Sequence, residues 1–266
     1  MTDEFLYPAR DGFPLAVQTC GPVDAPALLL LQGQANSHRW WDRLRAAFES
    51  DFRTITMDYR GTGRSRGPVG PWTTASFAAD AVEILDRLSV KKALVYGTSM
   101  GGRVAQMLAI HHPDRVAAMV LACTSPGGPH AIERGTAIRQ ALAQATRAER
   151  LDILRELFYT SDWTHPPQDS TLMGDSSMRR QEAAAHLRAS DHHNAWDALP
   201  AIAVPTLVLH GDDDRMTPPV NASLLTERIR GARLRTYSRG RHGFFDEFAS
   251  QVTPEVIDFL TSRPAR

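Results

Sequence analysis

The sequence predicts an α/β protein: a mostly parallel sheet of eight strands, with helices on both faces and a helical cap inserted after the sixth strand. Three observations carry that prediction. Short apolar runs alternate with longer stretches whose apolar residues recur at helical spacing. One such run, Ala93-Leu94-Val95-Tyr96, stops in a glycine-flanked serine, Gly97-Thr98-Ser99-Met100-Gly101. The alternation then lapses for roughly seventy residues before resuming, too long an interval for a simple connection.

Taken in order, residues 4–7 and 14–19, joined across Asp11-Gly12, predict an opening hairpin. A buried strand follows at 27–32, then a helix around 41–48 and a strand at 54–57. Residues 74–88 carry Phe77, Val82, Ile84 and Leu85 and read as a helix. That helix leads into the strand at 93–96 and a second helix bearing Val104, Met107 and Leu108, and 116–122 is the next strand. Parallel neighbours need a crossover of about a dozen residues or more, so alternation at these lengths implies a parallel sheet covered on both faces. From 126 to 199 the rhythm gives way to helical pieces at 138–148 and 151–158 and an irregular stretch at 160–175. It returns with a strand at 206–210, a helix near 221–229, a strand at 233–237 and a final helix near 251–260. The expected organisation is a core of residues 1–125 and 200–266, with 126–199 as the inserted cap.

Composition narrows the function classes. The 30 basic residues balance 30 acidic ones, which leaves no global field to steer nucleic acid or an anionic membrane surface. The apolar run at 27–31 is far too short to span a bilayer, and no basic leader with an apolar core opens the chain. A soluble cytoplasmic protein acting on a small molecule is expected; oligomeric state is not legible. Cys20 and Cys123 lie far apart and are expected to be buried free thiols, not a disulfide or metal ligands.

Ser99 is the candidate nucleophile. A strand meeting a helix at this point must turn sharply, and Gly97 and Gly101, lacking a Cβ, let the two backbones approach. The pattern is G-x-S-x-G, a nucleophile elbow, in which the amide after the serine helps form an oxyanion hole at a helix N-terminus. Three fixed letters arise by chance in about one chain in ten of this length. The competing reading is a turn in which Ser99 merely caps the helix. A hydroxyl is a poor nucleophile at neutral pH, so the catalytic reading demands a base and an acid that orients it.

His242 is the candidate base, in Ser238-Arg239-Gly240-Arg241-His242-Gly243, just beyond the last strand, where Gly240 and Gly243 permit a tight loop. His111 and His112 end a helix, where its dipole favours cations, and His192 and His193 lack ligand partners at metal spacing. The acid is sought between serine and histidine, at Gly211-Asp212-Asp213-Asp214, where a strand ends and carboxylates reach the same sheet edge. Asp214 is the candidate, with Asp212 and Asp213 solvating or capping the turn. Three adjacent aspartates do not make a metal site, since calcium loops space their ligands out. The second oxyanion donor belongs to the loop after the third strand, Gln32-Gly33-Gln34-Ala35-Asn36, where the Gln34 N–H pairs with that of Met100.

With these residues in place, the chain resembles the α/β-hydrolase superfamily, specifically its soluble hydrolases with a helical cap. The likeness extends to Asp58-Tyr59-Arg60-Gly61-Thr62-Gly63-Arg64-Ser65, similar to the family's D-x-R-G-x-G-x-S turn, to Gly211-x-x-Asp214 with Pro218, and to His242-Gly243. The resemblance implies Ser99 as nucleophile, Asp214 as acid, His242 as base, and Gln34 and Met100 as oxyanion donors, with no cofactor. Gln32 departs from the histidine usual before the oxyanion glycine; the donors being backbone amides, catalysis is unaffected and loop packing is what changes. The expected reaction is hydrolysis of a small, largely uncharged ester or lactone through an acyl-enzyme. Trp40, Trp41, Trp163, Leu172 and Met173 are candidate pocket walls, with core packing as the alternative for each. The same triad also serves C–C or thioester hydrolysis, acyl transfer or perhydrolase chemistry, and a non-catalytic receptor could share the fold.

Overall fold

The computed structural model describes residues 3–166 and 169–262. Residues 167 and 168, in the stretch expected to be irregular, and the expected core ends at 1–2 and 263–266 lie outside it. A hairpin opens the fold, β1 (Asp3–Pro8) and β2 (Pro14–Cys20), followed by β3 (Ala27–Leu31) and β4 (Arg53–Met57). Helix α1 (Thr74–Arg87) leads to β5 (Ala93–Thr98), α2 (Met100–His111) and β6 (Val116–Ala122). Three helices then leave the sheet, α3 (Thr136–Gln144), α4 (Arg147–Phe158) and α5 (Arg180–Asp191). The chain returns through β7 (Thr206–Gly211), α6 (Val220–Arg228), β8 (Arg233–Tyr237), the short α7 (Phe244–Glu247) and α8 (Ala249–Thr261).

The strands form one eight-stranded sheet in the order β1-β2-β4-β3-β5-β6-β7-β8, with β2 antiparallel to both neighbours and the other pairings parallel. Successive side chains of a strand face opposite ways, and the apolar runs fill two cores accordingly. Leu29, Leu31, Ile55, Val95 and Val208 pack with Phe77 and Ala81 of α1, Val104 and Leu108 of α2 and Leu225 of α6. Leu28, Leu30, Leu94, Val120 and Leu209 pack on the other side with Val252, Val256 and Phe259 of α8 and Leu157 and Phe158 of α4. The strand order reverses between β3 and β5, paired from Leu28↔Leu94 to Leu31↔Gly97. Ligands of such sheets bind at the carboxyl ends of the strands where the order reverses. Both the elbow and the loop after β3 start there.

The inserted segment closes on itself at its base. The Gly128 N–H donates to the His193 carbonyl at 2.9 Å, and the Ala195 N–H to the Pro126 carbonyl at 2.9 Å.

The structure departs from the expectations in several places. The helix expected at 41–48 is two 3-10 turns, His38–Trp41 and Arg45–Phe48. Trp40, Trp41, Leu44 and Phe48 do bury one face, but Arg45 is buried too. Its guanidinium donates to Thr54 Oγ1 and the Gln18 and Thr54 carbonyls, which holds the second turn down on the sheet. The helix expected to run to 148 stops at Gln144, because Ala145 is extended and Thr146 caps α4, exchanging hydrogen bonds with Glu149. Helix α5 was not expected at all. Cys20 is half-buried where a buried thiol was expected, while Cys123 is buried, and both are free.

Candidate active site

Ser99 sits at φ +54, ψ −121, a backbone conformation that costs energy for any residue with a side chain. Close packing holds it there. A Cβ on Gly97 would collide with the Gly101 carbonyl, and one on Gly101 with the Leu31 carbonyl. The Ser99 N–H donates to the Ala122 carbonyl at 2.9 Å, and its own carbonyl accepts from Thr124 Oγ1 at 2.7 Å. The hydroxyl makes no capping bond to α2. Instead Ser99 Oγ lies 3.0 Å from His242 Nε2, which excludes the reading of Ser99 as a simple helix cap.

His242 Nδ1 lies 2.8 Å from Asp214 Oδ2, so the three residues singled out from the sequence meet in one hydrogen-bonded line. Asp214 Oδ1 accepts the N–H groups of Met216 and Thr217, both at 2.8 Å. Complete burial works to raise the Asp214 carboxyl, but the imidazoles of His242 and His210 outweigh it and hold the group well below the usual carboxylate range. His210 escaped the sequence reading: it is buried, its Nε2 donates to the Thr217 carbonyl at 2.8 Å, and the same atom lies 3.4 Å from Asp214 Oδ2. The other two aspartates are engaged elsewhere. Asp212 Oδ1 accepts the Arg239 N–H at 2.6 Å, and Asp213 pairs with Arg241 at 3.1 Å. Asp214 and His242 are buried while Ser99 is half-buried, so the line opens outward at its hydroxyl.

Among the described residues, neither the Met100 N–H nor the Gln34 N–H donates to a protein acceptor. Met100 begins α2, where the first N–H groups have no intrahelical partner. Gln32, at the head of the Gln34 loop, is buried and donates from Nε2 to the Met57 carbonyl at 2.7 Å and the Asn36 carbonyl at 3.3 Å, tying that loop to β4. The Asp58 turn braces the other side. Asp58 Oδ1 accepts the His38 N–H at 2.8 Å, Oδ2 accepts the Arg64 N–H at 2.8 Å, and Ser65 Oγ donates to the Asp58 carbonyl. Gly63 has no room for a Cβ beside that carboxylate.

The candidate walls all belong to, or pack against, one buried cluster. Trp40 Nε1 donates to Thr98 Oγ1 at 2.9 Å, its ring fills the space at Gly33, and it meets Phe158 edge-on at 6.1 Å. Phe158, not foreseen from the sequence, stands edge-on to His242 at 4.9 Å. Leu172 packs near Gly243, and Met173 is partly buried against the same core. Trp41 is fully buried against Tyr96 and Phe245, and Trp163 stacks on Tyr159 at 4.0 Å with Arg43 over its ring.

A doubly covered parallel sheet whose elbow serine meets histidine and aspartate defines the chain as a hydrolase of the alpha/beta class. Residues 26–249 match the family model described as "alpha/beta hydrolase fold", and the chain belongs to that family. It is 31% identical to a Variovorax paradoxus protein named "Putative carbamate hydrolase RutD", over 93% of this chain and 96% of the relative. It is 30% identical to 3-oxoadipate enol-lactonase 2 of Acinetobacter baylyi, over 79% of this chain and 80% of the relative. The crystal structure of a hydrolase from Pseudomonas aeruginosa superposes with a TM-score of 0.84 at 29% identity, covering 97% of this chain and 98% of that one.

Proposed function

We propose that the protein is a serine hydrolase that cleaves a small, largely uncharged carboxylic ester or lactone through an acyl-enzyme. The observation that carries this reading is the line from Ser99 Oγ through His242 to Asp214, at 3.0 and 2.8 Å. His242 takes the Ser99 proton as Oγ attacks the carbonyl carbon, and the N–H groups of Met100 and Gln34 receive the charge that develops on the carbonyl oxygen. Asp214 stays ionised, holds the imidazole in orientation and stabilises the imidazolium. The imidazolium gives its proton to the departing alkoxide oxygen, which in a lactone remains tethered to the acyl group. A water, deprotonated by the same imidazole, then attacks the acyl carbon and frees Ser99. These steps use the chain's own residues and water.

The apolar surroundings of His242, with Phe158 and Trp40 nearby, support an uncharged substrate. Among the described residues no helix is long and apolar enough to cross a membrane. That, with the balanced charge, supports a cytoplasmic enzyme whose partner is a small molecule, neither nucleic acid nor membrane. The name of the Variovorax relative favours one second reading, hydrolysis of a carbamate by the same residues.

A panel of p-nitrophenyl esters of graded chain length, lactones, thioesters and carbamates, run with the wild type and Ser99→Ala, tests the proposal. Turnover of short esters or lactones that vanishes in the variant is expected. Preferential carbamate turnover would favour the second reading, and hydrolysis that survives in Ser99→Ala would refute the nucleophile.

A further inference from the structure

The inserted segment reaches the Gln34 loop at three points. The Asp175 N–H donates to the Ala35 carbonyl at 2.8 Å, the Gly174 N–H to Asn36 Oδ1 at 3.0 Å, and the Ala35 N–H to Nδ1 of His186 on α5 at 3.3 Å. His186 is wholly buried, and its Nε2 lies 2.8 Å from the Arg60 carbonyl. A carbonyl only accepts, so Nε2 carries the proton and Nδ1 is left as the acceptor for Ala35. Burial lowers the pKa of this imidazole to about 4, so at neutral pH the ring is uncharged and that tautomer is the one present.

The loop needs such a hold. Ala35 has φ +57, a left-handed conformation that is unfavourable for a residue with a Cβ. The Gln34 carbonyl accepts from Asn36 Nδ2 at 2.9 Å. The peptide plane between Gln34 and Ala35 is therefore pinned at its oxygen by Asn36 and at its N–H by His186. With that plane fixed, the torsions of Gln34 are constrained, and they set where its own N–H points.

We propose that His186 is a positioning residue for oxyanion stabilisation: from the inserted segment it aims the Gln34 N–H by fixing the next peptide plane. The inference rests on the serine-hydrolase reading above. It assigns α5 a part in the chemistry although the helix supplies no atom to the reacting centre.

Two substitutions test it. His186→Phe keeps a ring and removes both hydrogen bonds; His186→Asn keeps an acceptor near the Nδ1 position and gives up the bond to Arg60. Loss of an oxyanion donor costs about 10²–10³ in kcat, so a misdirected one is expected to cost about 10-fold or more in the Phe variant with KM within about 2-fold. The affinity of phenylboronic acid, which mimics the tetrahedral intermediate on Ser99, should fall by a similar factor, and the Asn variant should recover most of both. Unchanged kcat in His186→Phe, or equal losses in the Phe and Asn variants, would overturn the inference. Should the Phe variant not fold, His186→Ala with added imidazole takes its place: restored kcat is expected, and no restoration overturns the inference. A wild type that neither turns over p-nitrophenyl acetate nor binds the boronate refutes the hydrolase reading itself.

Discussion

The backbone N–H of His242 donates to the Leu157 carbonyl at 3.1 Å, so the imidazole that completes the site hangs from the last turn of a helix in the inserted segment. The last carbonyls of a helix have no partner within it. Here the loop at 241–243 supplies them: the Gly243 N–H donates to the Phe158 carbonyl at 2.8 Å, and Arg241 donates to the carbonyls of Glu156 and Tyr159, both at 2.8 Å. A cation at a helix C-terminus also suits its dipole. The inserted segment thus helps to hold the histidine of the site in place.

Arg241→Ala should therefore loosen the histidine loop. Leaving the two carbonyls without their charged donor is expected to cost about 1–3 kcal/mol, read as a lower urea midpoint. Esterase kcat should fall as well, since small misplacements of a catalytic group are expensive. Wild-type stability and rate in this variant would show that α4 does not hold the loop through Arg241.

Asp214→Asn should cut kcat by about 10³–10⁴-fold, because an amide cannot stabilise the imidazolium and favours the wrong tautomer. Asp213, which pairs with Arg241 at the surface and does not touch His242, should cost less than about 3-fold as Asn. The reverse order in steady-state rates would move the acid by one residue.

Stability should fall in mild acid. Burial lowers the pKa of His186 to about 4, and burial with the nearby Arg103 lowers that of His193 to about 3. Below the ordinary value of about 6.5 the unfolded chain binds protons that the native state refuses, so the unfolding free energy falls as pH falls. Each histidine is worth on the order of 3 kcal/mol between pH 6.5 and pH 4. Asp214, held below the usual carboxylate range, adds its own loss below about pH 4. Urea midpoints measured from pH 7 to pH 4 should decline, and less steeply in His193→Gln; a flat wild-type profile would show that these rings are not buried neutral.

Much of this was legible because it is local. The run at 93–96 is a strand since its residues are apolar and its end is glycine, and the order of Ser99, Asp214 and His242 along the chain matches the order in which the sheet brings strand ends to one edge. Helix α5 was hidden because its buried face is Glu182, Ala185, His186, Ala189 and Ser190: the spacing is helical, but most of the face is polar. Glu182 can be buried because Arg66 and Arg179 satisfy it, and Arg66, 116 residues away on the β4 side, is a partner that no local spacing reveals. The contact between Ala35 and His186 spans 151 residues, and that between Asn36 and Gly174 spans 138, so the bracing of the Gln34 loop emerges with tertiary structure alone. Trp41 and Trp163 pack into the same buried cluster as Trp40 and Leu172, as large rings do where they can be surrounded.

The most direct measurement of the central claim is intact mass after exposure of the folded protein to a fluorophosphonate. The account predicts one adduct per chain, mapped to Ser99 and absent from Ser99→Ala. A folded wild type that stays unmodified, or an adduct on another residue, would contradict it.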